Sequence, residues 1–248
     1  MSVQNSEEEA TSLVKVFQNI PRKKLDEAFD KIQSTFLNKA DSTITPQGAK
    51  LLEAVERYYN SNIPVDYWFR DMYDFKGDAV LKARYDEISK DVKKSYENGV
   101  SICFAGNHGS GKTMTCTCIL KRVVESNRYS ALYLNLTDII HVMTSPSTAL
   151  VRDKARQLLM NVDFLVIDEF DQRFMGSENA ADLFGRILEP IMRTRLQNKM
   201  PLLFCTNSPN VVDGFNGPIK ASIRSLMFKF RTVPVMPGKD FRQPEAKK

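Results

Sequence analysis

Apolar positions recur along this chain with two different periods. In the first hundred residues the spacing is three or four, as at Leu25, Phe29, Ile32 and Phe36, which is the period of a helix with one apolar face. From about residue 100 onward, short apolar runs of strand length alternate with helical segments. That alternation is typical of an α/β domain built on a parallel sheet. The pattern therefore predicts a helical N-terminal part followed by an α/β domain.

The N-terminal part contains two segments that read as amphipathic helices. Pro21 can begin the first, and Thr45 with Pro46 forms an N-cap and first-turn pair for the second, which ends near Asn60. We predict a helical domain over 1–62, a linker and helix over 63–98, and an α/β domain over 99–248. The N-terminal helices could form only a small core, or they could present a face to a partner protein.

Five strands and four helices are predicted in the α/β domain. The strands are placed at 101–105, 131–136, 163–168, 202–206 and 232–236. The helices are placed near 112–126, 148–160, 180–196 and 219–228. Because strands and helices alternate, the expected sheet is parallel and five-stranded.

Aromatic residues are concentrated between residues 66 and 78, ahead of the first strand. The group comprises Tyr67, Trp68, Phe69, Tyr73 and Phe75. A turn-rich aromatic stretch is typical of a seam packed against the main domain. In some nucleotide-binding domains such a segment leans on the base instead, and the sequence leaves both interpretations open.

The strongest chemical signal follows the first predicted strand. The residues are Gly106, Asn107, His108, Gly109, Ser110, Gly111, Lys112 and Thr113, which match the phosphate-loop pattern G-x-x-x-x-G-K-[ST] at every fixed position. The glycines let backbone N–H groups approach the phosphates, and the following helix adds its positive dipole end. We expect Lys112 to reach the β- and γ-phosphates and the Thr113 hydroxyl to bind Mg²⁺.

Two adjacent carboxylates, Asp168 and Glu169, end the apolar strand predicted at 163–168. In enzymes with a phosphate loop, the first acid holds Mg²⁺ and a following Glu can polarise the water that attacks the γ-phosphate. Adjacent residues at a strand end point in different directions, so the two carboxylates can serve different atoms. The sequence predicts a metal role for Asp168 and a catalytic role for Glu169.

Asn207 follows the strand predicted at 202–206. Ligands of open α/β sheets bind in the crevice at the carboxyl ends of the strands, so this side chain is placed to orient the attacking water or to sense the γ-phosphate. It could also merely cap the turn that begins there.

Composition and charge narrow the setting. The 248 residues are 42% hydrophobic, which suits one large domain with an appendage. No apolar run approaches the ~20 residues that span a bilayer, and the N-terminus is polar and acidic, so we expect a cytoplasmic protein. The four cysteines lie in or beside apolar segments and are expected in the core. Residues 193–248 carry a net charge of +8, which suits a polyanionic partner or a solvated basic surface.

These stretches together carry a family resemblance. From about Ile63 to Arg242 the chain resembles AAA+ ATPases of the DnaC/IstB type, and most closely the replicative helicase loaders, including those carried by phages. The two phosphate-site motifs specify only the class of ATPase. Their combination with the stretches at 189–207, 223–226 and 238–242 indicates the loaders. The fold that this implies is an AAA+ P-loop ATPase domain without a C-terminal helical lid.

The resemblance also implies roles for single residues. Asn207 falls where the family has its sensor 1 residue. Arg224 falls at the arginine that such proteins insert into a neighbouring subunit's ATP site, which implies an ATP-dependent oligomer, although it could be an ordinary surface residue of a helix. Arg242 matches an arginine near the C-terminal end of the family's sequences, and its role stays open.

The implied function is an ATP- and Mg²⁺-dependent ATPase that loads a hexameric replicative DNA helicase onto single-stranded DNA. Residues 1–62 would hold the helicase. Arg193, Arg195 and Lys199 are the expected DNA-contacting cluster, although Arg195 could lie at the subunit interface instead. The alternatives are a transposition helper ATPase of the IstB type and a nucleotide-gated adaptor with little turnover.

Overall fold

The computed structural model describes residues 16–38, 42–146, 148–170, 178–208, 212, 215 and 217–235. The α-helices are α1 (Arg22–Phe36), α2 (Pro46–Asn60), α3 (Ala79–Lys90), α4 (Val92–Glu97), α5 (Lys112–Glu125), α6 (Leu136–Thr144), α7 (Ala149–Asn161), α8 (Glu178–Gln197) and α9 (Gly217–Met227). The strands are β1 (Ser101–Ala105), β2 (Ala131–Asn135), β3 (Phe164–Phe170), β4 (Leu202–Thr206) and β5 (Arg231–Pro234). Short 3₁₀ turns occur at Val65–Tyr67 and Met72–Asp74.

All five strands form one parallel sheet in the order β2-β3-β4-β1-β5. The predicted parallel sheet is therefore confirmed. β4 lies between β1 and β3, so the strand after which Asn207 comes separates the strand of the phosphate loop from the strand of Asp168. The three segments meet at the carboxyl edge of the sheet, where ligands of such sheets bind.

Helix α6 was not expected from the sequence, and β2 is one residue shorter than predicted. β2 ends at Asn135, and Leu136 begins the helix. The Asp138 carboxylate accepts a hydrogen bond from the backbone N–H of Asn135 at 3.3 Å, a contact of the capping-box type. The apolar run continues through this junction, so hydrophobicity alone does not show where the strand ends and the helix begins.

Two hydrophobic cores cover the two faces of the sheet. The first joins α1, α2, α3 and α5 to one face, and it includes Phe104, Val166 and Leu203. The second joins α6, α7, α8 and α9 to the opposite face, and it includes Ile167 and Phe204. The chain thus forms three layers, with helices on both sides of a parallel sheet. All four cysteines are buried, as predicted.

The N-terminal helices share the first core with the sheet. Val55, Tyr58 and Ile63 are almost fully buried there. The Tyr58 hydroxyl is hydrogen-bonded to the Glu125 carboxylate on α5, and the backbone N–H of Tyr133 donates to the Ser61 carbonyl at 2.9 Å. The division at residues 62 and 63 stays a prediction, but the packing runs without a break across that position.

None of the helices within the described residues is both long enough and apolar enough to cross a membrane.

Candidate active site

The phosphate loop lies between β1 and α5, as predicted. Gly111 has a φ of 97°, a left-handed conformation that L side chains rarely adopt, and it immediately precedes the first residue of α5. Gly106 lies against the residue that follows β5, because an added Cβ would come within 2.7 Å of the Cβ of Val235. The backbone therefore requires glycine at these two positions of the loop.

The ammonium group of Lys112 is held inside the loop. Its Nζ donates to the Gly106 carbonyl at 2.7 Å and to the Asn107 carbonyl at 2.8 Å. It also lies 3.2 Å from Ser110 Oγ and 3.1 Å from Asn207 Oδ1. Lys112 is buried, with 6% of its surface exposed, so a positive charge is fixed at the centre of the loop.

Thr113 and Asp168 meet across the cleft. Thr113 Oγ1 donates to Asp168 Oδ2 at 2.7 Å. The same oxygen accepts a second hydrogen bond from the Tyr133 hydroxyl at 2.7 Å, and Asp168 Oδ1 accepts from the backbone N–H of Glu169 at 2.6 Å. Asp168 is buried, and three donors orient its carboxylate.

Glu169 sits at an irregularity of β3. The pairing register between β3 and β4 shifts between Ile167 and Phe170, and Glu169 has a φ of 55°. A left-handed residue other than glycine is strained and is found preferentially at functional sites. The irregular backbone, rather than simple strand alternation, lets both Asp168 and Glu169 line the same cleft, with Asp168 buried and Glu169 exposed.

Asn207 comes directly after β4 and also lines the cleft. Its side-chain oxygen accepts a hydrogen bond from Lys112, so the amide faces the loop. This contact supports the interpretation of Asn207 as a site residue. The alternative, a turn over 207–210, includes residues 209 and 210, which lie outside the described residues.

The cleft has a volume of about 320 Å³, and one wall comes from the aromatic segment. The residues of that segment that line it are Tyr67, Arg70, Asp74, Phe75, Lys76 and Gly77. The ring of Phe75 lies so close to the loop that a Cβ added to Gly111 would be 2.4 Å from it. The segment is thus a packed seam that also forms a wall of the cleft, and its contact with a base stays a prediction.

Lys121 holds this wall in place and was not singled out from the sequence. Its ammonium donates to the carbonyls of Tyr67 at 3.3 Å, Trp68 at 3.1 Å and Arg70 at 2.6 Å, and it lies 5.1 Å from the ring centre of Tyr58. Burial lowers the pKa of Lys121. The sequence does place Lys121 among the apolar residues of α5, and a lysine is rarely buried unless its ammonium group is paired.

Tyr133 is the second site residue that the sequence did not reveal. It is buried on β2, and burial together with the nearby Asp168 carboxylate raises the pKa of its hydroxyl far above the usual value. The hydroxyl therefore stays a protonated donor. Its position depends on the pairing of β2 with β3, in which Asn135 lies opposite Asp168, and no local pattern predicts that pairing.

The predicted DNA-contacting cluster is wrong for Arg195. This residue is fully buried, and its guanidinium donates to the carbonyls of Leu159 at 3.0 Å, Val162 at 2.8 Å, Asp163 at 3.0 Å and Pro201 at 2.6 Å. It can reach neither DNA nor a neighbouring subunit. Burial lowers its pKa to about 9, which still leaves it charged at neutral pH.

The other predicted arginines differ in their surroundings. Arg193 is exposed, with its Nε 2.8 Å from Glu189 Oε1, and Lys199 is exposed beyond the end of α8. Arg224 is exposed on α9 and is not among the described residues that line the cleft. Arg242 lies outside the described residues.

Comparison with known proteins agrees with this geometry. The model of the family described as "ATPase family associated with various cellular activities (AAA)" matches residues 102–216, a range that contains the loop, both carboxylates and Asn207. No curated protein matches the chain.

Solved structures with the same fold include DnaI, the DnaC helicase loader and DnaA. DnaI aligns with a TM-score of 0.56 and 18% identity over 72% of this chain and 94% of its own. The DnaC helicase loader aligns with a TM-score of 0.52 and 18% identity over 68% of this chain and 98% of its own. The replication initiator DnaA bound to AMPPCP and single-stranded DNA aligns with a TM-score of 0.52 and 16% identity over 70% of this chain and 50% of its own.

This chain spans about half the length of the DnaA chain that it matches. At these identities the alignments show a shared fold, and the predicted resemblance is confirmed at that level. Residues 102–216 therefore match the AAA ATPase family model, and the chain has the fold that DnaA, DnaI and the DnaC helicase loader share.

Proposed function

We propose that the chain binds ATP in this cleft and hydrolyses it to ADP and phosphate. The observation that carries the proposal is the convergence of three segments: Lys112 Nζ lies 3.1 Å from Asn207 Oδ1, and Thr113 Oγ1 lies 2.7 Å from Asp168 Oδ2. These are the cationic, amide, hydroxyl and carboxylate groups that phosphoryl transfer needs around one phosphate. The AAA-family match of the same residues supports this reaction.

Thr113 and Asp168 fit a Mg²⁺ site. Both present oxygen atoms, which this cation prefers, and the two atoms already lie within 2.7 Å of each other. When bound, Mg²⁺ neutralises charge on the phosphate oxygens of the nucleotide. The three hydrogen bonds that Asp168 accepts orient its carboxylate before any ligand arrives.

The remaining side chains divide the work on the nucleotide. Lys112 provides fixed positive charge for the β- and γ-phosphates, and the backbone of the loop provides N–H donors. Glu169, exposed at the cleft, orients the attacking water and withdraws its proton. Asn207 positions that water through its amide, next to the lysine that it contacts.

Substitution of Glu169 by Gln tests this assignment. We expect Glu169→Gln to lower the rate of ATP hydrolysis by roughly 10²-fold or more, since a neutral amide cannot take the proton, while ATP binding persists. Glu97→Gln, on the exposed end of α4, is the matched control and should hydrolyse ATP at the wild-type rate. A wild-type protein that binds ATP without measurable turnover would instead identify a nucleotide-gated adaptor.

The assembly that completes the site is an oligomer of this chain. Arg224 is exposed on α9 and does not line the cleft of its own chain within the described residues, so it is available to a neighbouring copy. An arginine supplied by another subunit stabilises the charge of the transition state. Turnover then depends on association, and a dilute monomer hydrolyses ATP slowly.

The biological role that fits best is the loading of a hexameric replicative helicase onto single-stranded DNA. The support is the shared fold with the DnaC helicase loader and DnaI, and with a DnaA structure that contains single-stranded DNA. The N-terminal helices α1 and α2 are the part that holds the helicase, while the AAA domain binds ATP and DNA.

Size measurement of mixtures tests the choice of partner. With AMPPCP and Mg²⁺ present, we expect the full chain to form a stable complex with a hexameric replicative helicase and none with a transposase. A complex with the transposase alone would favour the IstB-like role. Binding to single-stranded DNA should weaken steeply with salt, because phosphate contacts release counterions.

A further inference from the structure

The Tyr133 hydroxyl is one of only two side-chain donors in contact with Asp168 among the described residues. It donates to Asp168 Oδ2 at 2.7 Å, whereas the next acceptor, Asn135 Oδ1, lies 3.4 Å away. A hydroxyl has a single proton, and the shorter contact is the stronger one, so the proton belongs to the carboxylate. Tyr133 is thus directed at the acid proposed to bind Mg²⁺.

The second side-chain donor to the same oxygen is Thr113, at 2.7 Å. Each carboxylate oxygen has two lone pairs, and here Tyr133 and Thr113 occupy both lone pairs of Oδ2. Thr113 is itself a proposed metal ligand, whose hydroxyl oxygen would offer a lone pair to the cation while its proton stays with Asp168. Tyr133 has no such second task and remains to hold the carboxylate.

The position of Tyr133 is itself fixed from outside the sheet. β2 is an edge strand, and the residues that end α2 cover its free side. The backbone N–H of Tyr133 donates to the Ser61 carbonyl at 2.9 Å, and its carbonyl accepts from Asn62 Nδ2 at 3.1 Å. Asn62 is buried and has a φ of 54°, the left-handed conformation that asparagine commonly adopts just past the end of a helix, so the end of α2 holds this side chain in place against β2.

We propose that Tyr133 is a positioning residue for the Mg²⁺ ligand Asp168, held in register by the end of helix α2. This inference rests on the proposed ATPase function and adds to it a residue that no phosphate-loop motif contains. Residues that orient a metal ligand typically change metal affinity by 10- to 100-fold when they are removed. The effect belongs to the metal rather than to the nucleotide, because Tyr133 does not line the cleft among the described residues.

Tyr133→Phe is the test, since it removes the hydroxyl and keeps the buried ring. We expect the affinity for Mn²⁺, measured by electron paramagnetic resonance in the presence of AMPPCP, to fall by about 10- to 100-fold. The affinity for AMPPCP in EDTA should stay within twofold of wild type. Tyr85→Phe is the control, because it removes another buried tyrosine hydroxyl, which contacts Arg122 at 2.9 Å.

Steady-state hydrolysis gives a second readout. In Tyr133→Phe the Mg²⁺ concentration for half-maximal activity should rise by a similar factor, and excess Mg²⁺ should restore most of the wild-type rate. A merely structural role would lower activity at every Mg²⁺ concentration, and that outcome would overturn the proposal, as would an unchanged Mn²⁺ affinity. Failure of the wild-type chain to bind AMPPCP at all would count instead against the proposed function.

Discussion

At the scale of single residues, Arg195 shows how a charged side chain can serve structure alone. Its guanidinium links the end of α7, the segment before β3 and the segment before β4 through four backbone carbonyls. The planar fork of arginine carries five N–H donors, against three on an ammonium, so it can meet all four carbonyls at once. The residue therefore fixes where two central strands begin.

We expect Arg195→Met to lower the free energy of unfolding by roughly 3 kcal/mol, because four buried carbonyls lose a charged donor. Arg195→Lys keeps the charge but not the fork, so its loss should be smaller. Thermal denaturation of both variants measures the difference. A methionine variant as stable as wild type would mean that apolar packing replaces the hydrogen bonds in full.

Glu169 has a left-handed backbone conformation. Its φ of 55° is unfavourable for any residue with a Cβ, by about 1 kcal/mol or more, and glycine does not carry that penalty. We expect Glu169→Gly to melt at a higher temperature than Glu169→Gln, although both lack the carboxylate. Differential scanning calorimetry compares the two, and equal melting temperatures would show that the backbone there is relaxed.

At the scale of secondary-structure elements, the aromatic segment between residues 66 and 78 depends on α5 for its position. Lys121 binds three of its carbonyls, and the segment in turn supplies a wall of the nucleotide cleft. An ammonium with three donors can satisfy three acceptors at once, which no apolar side chain can do.

Lys121→Met should therefore weaken nucleotide binding without touching the phosphate loop. The methionine fills the space of the aliphatic stem, but the carbonyls lose their donor and the wall becomes less ordered. We expect a 5- to 20-fold rise in the Kd of a fluorescent ATP analogue, on the order of 1 to 2 kcal/mol. Lys93→Met, on the exposed face of α4, serves as control. An equal rise in Kd for this variant would show that the effect does not come from the contacts of Lys121.

The elements differ in how much of them the sequence could predict. β1, β4 and the beginning of α5 were placed correctly, because a short apolar run and a glycine-rich loop mark them by local pattern. Helix α6 was missed because its first residue, Leu136, continues an apolar run. Its cap consists of Asn135 and Asp138, two polar residues that are not distinctive in the sequence. Periodicity reports which residues are buried, but not where a strand gives way to a helix.

The candidate site shows the same limit. Gly111, Lys112 and Thr113 could be predicted because their chemistry lies in one continuous motif. Tyr133 and Lys121 could not, because their roles depend on contacts with residues 35 and about 50 positions away along the chain. The prediction for Arg195 failed for a related reason, since net charge along a segment says nothing about which side chain is buried.

At the scale of the whole molecule, Arg224 gives a test of assembly. We expect Arg224→Ala to lower ATP hydrolysis by roughly 10³-fold or more, because the neighbouring site loses its charge stabilisation, while each chain still binds ATP. Arg186→Ala, an exposed arginine on α8, is the control and should be active.

Mixing makes this prediction sharper. A Glu169→Gln chain has an inactive site but an intact Arg224, and an Arg224→Ala chain has the reverse. Equimolar mixtures should recover part of the wild-type rate, since some sites then receive a functional arginine from the neighbour. Mixtures no more active than the two separate variants would place Arg224 outside the active site.

The N-terminal helices are continuous with the core that supports the nucleotide cleft, through Tyr58, Ser61 and Asn62. If ATP binds in the cleft as proposed, a partner that shifts α2 would change the energy of β2 and α5, and with it the affinity for ATP. Thermodynamic linkage makes the effect mutual: ATP must change the affinity for that partner by the same factor. The measured change in one affinity would then give the change in the other.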